Sequence, residues 1–129
     1  FWAGCCGDAE TKQTIGEVWR EHRYLCDTHT AVAWNVAQQY KAANPDHAPA
    51  VVLSTASPYK FPAAVLEGLG ERAEGDEFAV MEQLERLTGV PAPKNLRGLR
   101  ERPVRHTTVL DREEMLPFVL DRARTKNWF

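Results

Sequence analysis

Three hydroxyls and an ammonium crowd into one short stretch, Ser54-Thr55-Ala56-Ser57-Pro58-Tyr59-Lys60-Phe61. It follows the apolar run Ala50-Val51-Val52-Leu53, which reads as a short, fully buried strand because it is continuous rather than alternating. Ligands of α/β proteins gather at the carboxyl ends of strands, beside helix N-termini. Ser54, Thr55, Ser57 and Lys60 at such an exit could hold an anion or a cofactor. The alternative is a loop whose hydroxyls only cap a helix starting near Phe61. A second polar cluster, Cys26-Asp27-Thr28-His29-Thr30, opens into Ala31-Val32-Ala33. It could face a site, or cap the helix and nothing more.

Other reactive residue types carry less. Cys5, Cys6 and Cys26 form an odd set with no CxxC pair, which argues against a disulfide framework and a zinc site. Neighbouring Cα atoms stand about 3.8 Å apart, too close for an unstrained bridge between Cys5 and Cys6. A thiol paired with His22 or His29 would make a nucleophile; small buried thiols of a reducing, cytoplasmic compartment are the plainer reading. The four histidines, His22, His29, His47 and His106, lack metal-ligand spacing, so no metal is expected. Gly68-Leu69-Gly70 with Gly75 is not a phosphate loop, and no GxSxG occurs. Lys94, Arg97, Arg100, Arg102 and Arg105 could attract phosphate or nucleic acid. Glu101 interrupts that stretch, acidic residues from Glu67 to Glu85 balance it, and it has no aromatic residue to stack on bases. It reads as a solvated charged face.

The elements that must position these groups follow from periodicity. Asp8 as cap, with Ile15, Val18, Trp19 and His22 in helical spacing, predicts a helix over about 9–22. A second runs from about Thr28 to Ala43, apolar nearly all round, and so belongs at the centre of something that this chain does not fully cover. Asn44-Pro45-Asp46-His47 reads as a turn. Helices are predicted over about 61–69 and 76–87, the latter with a stripe of Val80, Leu84 and Leu87 and a stop at Gly89. A short helix carries Leu96 and Leu99, and residues 104–109 read as a second strand. The last helix opens at Asp111 with Met115, Phe118 and Val119 inward, and Pro117 should kink it. The fold class expected is α/β: a helix-rich chain with a short parallel two-stranded βαβ sheet.

A length of 129 residues suits a single domain, 1–129. Hydrophobic residues at 43% and charged residues at 26% exclude collagen-like and wholly disordered classes. A formal charge of −2 gives no ground for nucleic-acid binding by the chain as a whole. No apolar run nears the roughly 20 residues that span a bilayer, so neither nucleic acid nor membrane is an expected partner. The opening Phe1-Trp2-Ala3-Gly4, without methionine, reads as a cut inside a longer protein.

Two segments carry a family resemblance. Asp27-Thr28-His29-Thr30-Ala31-Val32-Ala33 resembles the DPHTA-type segment of threonine synthases, and Ser54 to Phe61 resembles that family's STA-x-P-x-KF segment. Phe1-Trp2-Ala3-Gly4 and Asp111-Arg112-Glu113-Glu114-Met115 resemble its carboxyl-terminal portion. The likeness runs over essentially the whole chain, with Thr28 where proline is common and Pro117 as a second departure.

The resemblance implies the C-terminal portion of a larger pyridoxal 5'-phosphate (PLP) enzyme of the tryptophan-synthase-β, fold-type-II kind. Such enzymes convert O-phospho-L-homoserine and water to L-threonine and phosphate. It further implies that the Schiff-base lysine and the glycine-rich phosphate loop lie in the remainder of the polypeptide. The chain would then form one wall of the cofactor site, contain no catalytic residue and be inactive alone. Thr55 matches the threonine whose hydroxyl faces the pyridine nitrogen. A neutral hydroxyl there suits an unprotonated nitrogen, whereas a carboxylate would keep it protonated. Lys60 matches the KF lysine, not the Schiff-base lysine, and would set a positive field or pair with a carboxylate such as Asp27. Asp27 and His29 match positions on the cofactor side. Implied partners are the remainder of the polypeptide and the substrate, and an uncovered apolar face would favour a non-native dimer. The residues alone leave open a free-standing module for a phosphorylated ligand or RNA, and a plain interaction domain.

Overall fold

Helices begin where caps can satisfy their first N–H groups, and this chain supplies such caps repeatedly. The computed structural model describes residues 1–44 and 48–125. Its α-helices are α1 (Asp8–His22), α2 (Thr28–Ala43), α3 (Pro62–Gly68), α4 (Glu77–Thr88), α5 (Lys94–Arg97) and α6 (Met115–Thr125). Single 3-10 turns occur at Pro58–Lys60 and Arg112–Glu114. The cap of α1 is Gly7 rather than Asp8; its N–H donates to Glu10 Oε2 at 2.8 Å. Asp27 caps α2, Asp76 caps α4 through Ala79 N at 2.9 Å, and Gly89 closes α4 at φ 70°.

No strand is present among the described residues, so the expected α/β fold with a βαβ sheet is replaced by an all-helical one. Residues 50–54 and 104–109 have no regular structure. Val51 is 86% exposed, Leu53 72% and Val109 92%. A strand exists only through its ladder, and two short runs bury too little apolar surface to hold a sheet together. The continuous apolar run, expected as a fully buried strand, is thus neither a strand nor buried among the described residues. The turn at 44–47 lies largely outside the described residues.

The core forms between α1, α3 and α4, with the start of α2 against it. Ile15, Val65, Leu66 and Leu84 are fully buried, joined by Val18, Ala31, Val80 and Met81. Burying side chains of this size contributes about 1.5–3 kcal/mol each before ordering costs. Leu87, expected in the same stripe, is 46% exposed at the far end of α4. Glycines allow α1 and α3 to touch along their backbones: a Cβ on Gly16 would stand 2.4 Å from the Gly68 carbonyl oxygen. The buried Tyr59 ties the 3-10 turn to the exit of α4 by donating its hydroxyl to the Val90 carbonyl.

Helix α2 is less buried than its composition suggested. Thr30 and Ala31 are buried, while Val32 to Ala37 are half-exposed. Helix α6 departs further: Met115, Leu116, Val119 and Leu120 are exposed, not inward. Pro117 does not sit in a second helical turn as expected. The 3-10 turn precedes Met115, so Pro117 falls in the first turn of α6, where a missing N–H breaks no intrahelical bond. Two of the five residues of the basic stretch are spent on carboxylates. Arg97 reaches Glu85 at 2.8 Å, and Arg100 bonds both oxygens of Asp76 at 2.7 Å while lying 5.0 Å from the Phe78 ring centroid.

Candidate functional site

The two polar segments singled out from sequence meet in space, and Asp27 is where they join. Its side chain is 0% exposed, and both carboxylate oxygens are taken. Oδ1 accepts from the His29 backbone N–H and lies 2.9 Å from His29 Nδ1. Oδ2 accepts from the Thr30 hydroxyl. Burial works to raise the Asp27 carboxyl, but the hydrogen bonds from Thr30 and from the backbone and ring of His29 outweigh it. The group is held below its ordinary value as a carboxylate.

From Thr30 the chain of contacts crosses to the other segment. Thr30 Oγ1 lies 3.0 Å from Ser54 Oγ, and the Tyr24 hydroxyl donates to Ser54 Oγ at 3.1 Å. Thr30 has one proton, and the ionised Asp27 can only accept. The Thr30 proton therefore goes to Asp27, and Ser54 donates to Thr30. Tyr24 then donates to Ser54. Four groups from three places in the sequence form a file of hydrogen bonds with one direction, ending on a buried charge.

The remaining residues of the two segments sort differently. Ser57 accepts from Tyr59 N at 3.3 Å and so caps the 3-10 turn, whereas α3, the helix those hydroxyls were expected to cap, has Phe61 at its N-cap and no side-chain cap. Thr55 is exposed and makes no hydrogen bond among the described residues. Lys60 is exposed; its Nζ lies 5.9 Å from the Phe61 ring centroid and not on Asp27, whose oxygens are occupied. His29 presents a mostly exposed ring, 5.2 Å from that of Phe61. Thus Asp27 and His29 are brought together, while Thr55 and Lys60 stand open on the neighbouring segment.

Two cavities flank this seam. One of about 620 Å³ is lined by Cys6, Lys12, Thr28, His29 and Val32 among others. The other, about 340 Å³, is bounded by Tyr24, Cys26, Thr30, Trp34, Val52 and Ser54 in part. Thr55 lines neither. Burial pushes the Cys26 thiol up to about 11, so it is no nucleophile near neutral pH. Cys5 and Cys6 are free thiols. Among the described residues no three His, Cys, Asp or Glu side chains gather to hold a metal ion, and no helix is long and apolar enough to cross a membrane.

Sequence reasoning missed Tyr24 and the pairing of Thr30 with Ser54. Tyr24 lies between the two predicted helices, where its hydroxyl gives no periodic signal. Thr30 was visible three residues after the cap Asp27, a spacing from which a side chain can reach back to the cap. Nothing in the sequence placed residue 54 beside it.

Fold and site together define a helical unit that presents an ordered polar seam and an exposed apolar surface among the described residues. Comparison with known proteins makes that class specific. The family described as "Threonine synthase, C-terminal" matches residues 30–117, and the chain belongs to that family. A threonine synthase of Methylobacillus glycogenes is 36% identical over 74 residues. That alignment takes in 57% of this chain and 15% of the relative, so the chain matches only a small part of the relative's length.

Proposed function

We propose that this chain is the C-terminal part of a threonine synthase and forms one wall of its PLP site. The whole enzyme converts O-phospho-L-homoserine and water to L-threonine and phosphate. The observation that carries this reading is Thr55: an exposed, uncommitted hydroxyl next to the pinned Ser54, within the stretch that matches the family. The donor set fits the cofactor. A pyridine nitrogen needs one neutral hydrogen-bond donor, which Thr55 offers, and anionic groups are served by an ammonium free of acids, which Lys60 offers among the described residues. When bound, PLP supplies the electron sink for the chemistry.

The work of this chain is to hold and tune. The Thr55 hydroxyl donates to the ring nitrogen and leaves it unprotonated, since a hydroxyl has no charge with which to keep a proton there. Lys60 adds positive potential beside the site. Asp27 caps α2 and holds the His29 ring by its Nδ1, which leaves the opposite ring nitrogen to serve the cofactor. No residue of the chain serves as Schiff-base lysine, acid or base.

The remainder of the polypeptide is the partner. It covers Val51 and Leu53 and the α6 face of Met115, Leu116, Val119 and Leu120, all of them exposed. The chain without it is inactive and self-associates through that face into a non-native dimer. Its free thiols suit a reducing cytoplasm.

The test is phosphate release from O-phospho-L-homoserine by the full-length protein, with the absorption of bound PLP recorded beside it. Thr55→Val shifts that absorption and lowers kcat roughly tenfold, the order of one lost hydrogen bond in the transition state. Borohydride reduction followed by peptide mapping labels a lysine outside this chain. Unchanged absorption and turnover in Thr55→Val, or stoichiometric labelling of Lys60, overturns the assignment.

A further inference from the structure

Thr55 can tune a ring nitrogen only if its peptide is held at a fixed place, and Thr55 itself makes no hydrogen bond among the described residues that would hold it. The preceding residue is the one that is held. Ser54 Oγ is gripped from both sides, by Thr30 at 3.0 Å and by Tyr24 at 3.1 Å, although residues 50–54 have no regular structure. Thr30 and Asp27 belong to the buried start of α2, which packs against the core. The grip on the loop is thereby referred to the rigid part of the molecule.

We infer that Asp27, Thr30, Ser54 and Tyr24 are positioning residues, whose one-way file of hydrogen bonds locks the 54–55 peptide to α2 and sets where the Thr55 hydroxyl points. The inference rests on the reading of Thr55 given above and adds how that residue is placed. The direction of the file matters as well as its existence. Asp27 has only acceptor oxygens, so each hydroxyl in turn must point its proton toward α2. Ser54 has no proton left for a ligand. Ser54 therefore does not compete with the neighbouring Thr55 hydroxyl as a donor.

Two variants separate the polarity of the file from its mere presence. Ser54→Ala removes its middle at an exposed site outside the core. Asp27→Asn keeps an acceptor for the His29 N–H and hence the helix cap, since Asn and Asp cap about equally well. It places an amide donor where Oδ2 stood, which turns the Thr30 proton toward Ser54 and reverses the file.

The experiment uses the full-length holoenzyme and reads the PLP dissociation constant, the absorption of bound PLP and the melting temperature of each variant. Ser54→Ala weakens PLP roughly fivefold to tenfold, as loss of the single Thr55 bond to the ring would, shifts its absorption toward that of Thr55→Val, and leaves the melting temperature of the apoenzyme unchanged. Ser54→Thr, which keeps the hydroxyl, restores both affinity and absorption. Asp27→Asn shifts the absorption while α2 stays folded. If Thr55→Val alters the absorption but Ser54→Ala and Asp27→Asn bind PLP with wild-type affinity and spectrum, the positioning role is refuted and the Thr55 reading stands. If Thr55→Val alters nothing, that reading fails and this inference fails with it.

Discussion

Replacing glycine by alanine inside a helix ordinarily stabilises it, by about 1 kcal/mol. Gly16→Ala in α1 should do the reverse. The new Cβ would stand 2.4 Å from the Gly68 carbonyl oxygen and 3.1 Å from Arg20 Nη1. The first distance is about 1 Å short of ordinary van der Waals contact. The guanidinium can swing away, but the carbonyl belongs to the backbone of α3, where a Cβ on Gly68 would in turn stand 2.8 Å from the Lys12 carbonyl oxygen and 2.9 Å from Ile15 Cβ. Relief requires α1 and α3 to separate around the fully buried Ile15 and Leu66. Overpacking of this kind costs about 1–3 kcal/mol, and the upper end applies where backbone is the obstacle. Set against the propensity gain, the net loss is about 2 kcal/mol. Urea unfolding followed by tryptophan fluorescence, with Trp19 on the same helix, should show a midpoint lower by about 1 M for a slope near 2 kcal/mol per M. Gly98→Ala is the control, because its Cβ would meet Lys94 O at 3.8 Å, an ordinary contact. It should stay within about 0.5 kcal/mol of the parent. A Gly16→Ala midpoint at or above the parent value would show that α1 and α3 do not pack backbone to backbone.

Two further outcomes test the core and the seam. Leu84→Ala removes a fully buried side chain and should cost about 2–5 kcal/mol, while Leu87→Ala, three residues on and half-exposed, should cost under about 1 kcal/mol; equal losses by thermal melting would contradict the burial pattern of α4. Asp27 ionises more readily folded than unfolded, so its contribution is present above its ordinary value of 3.8 and is lost as pH falls through the lower folded value. The stability difference between the parent and Asp27→Asn should therefore be constant near neutrality and shrink below about pH 4, and a difference that grows on acidification would mean that the carboxylate is not the stabilised form.

The helices were legible because their signals are local. Asp27, Asp76 and Gly89 mark ends, and Ile15 with Val18 or Val80 with Leu84 mark inner faces within one or two turns. The lack of strands at residues 50–53 and 104–109 was not, because apolar and β-branched side chains suggest a strand without saying whether another strand is there to pair with. The same ambiguity turned the α6 face inward in expectation and outward in fact. For the site, residue types sufficed to find both polar segments, and the family likeness read from them agrees with the match over residues 30–117. The hydrogen-bond file was out of reach, because it depends on Ser54 meeting Thr30 across 24 positions and on Tyr24 meeting Ser54 across 30.

The pair of hydrogen bonds from Arg100 to Asp76 acts as a hasp on the chain's last third. Up to that point the backbone is fastened to the start of α4; beyond the turn at Arg102, residues 103–110 run without regular structure to Asp111. Eight residues can pay out about 26–29 Å when taut. Helix α6 is thus carried at the far end of a strap whose near end is fastened to α4.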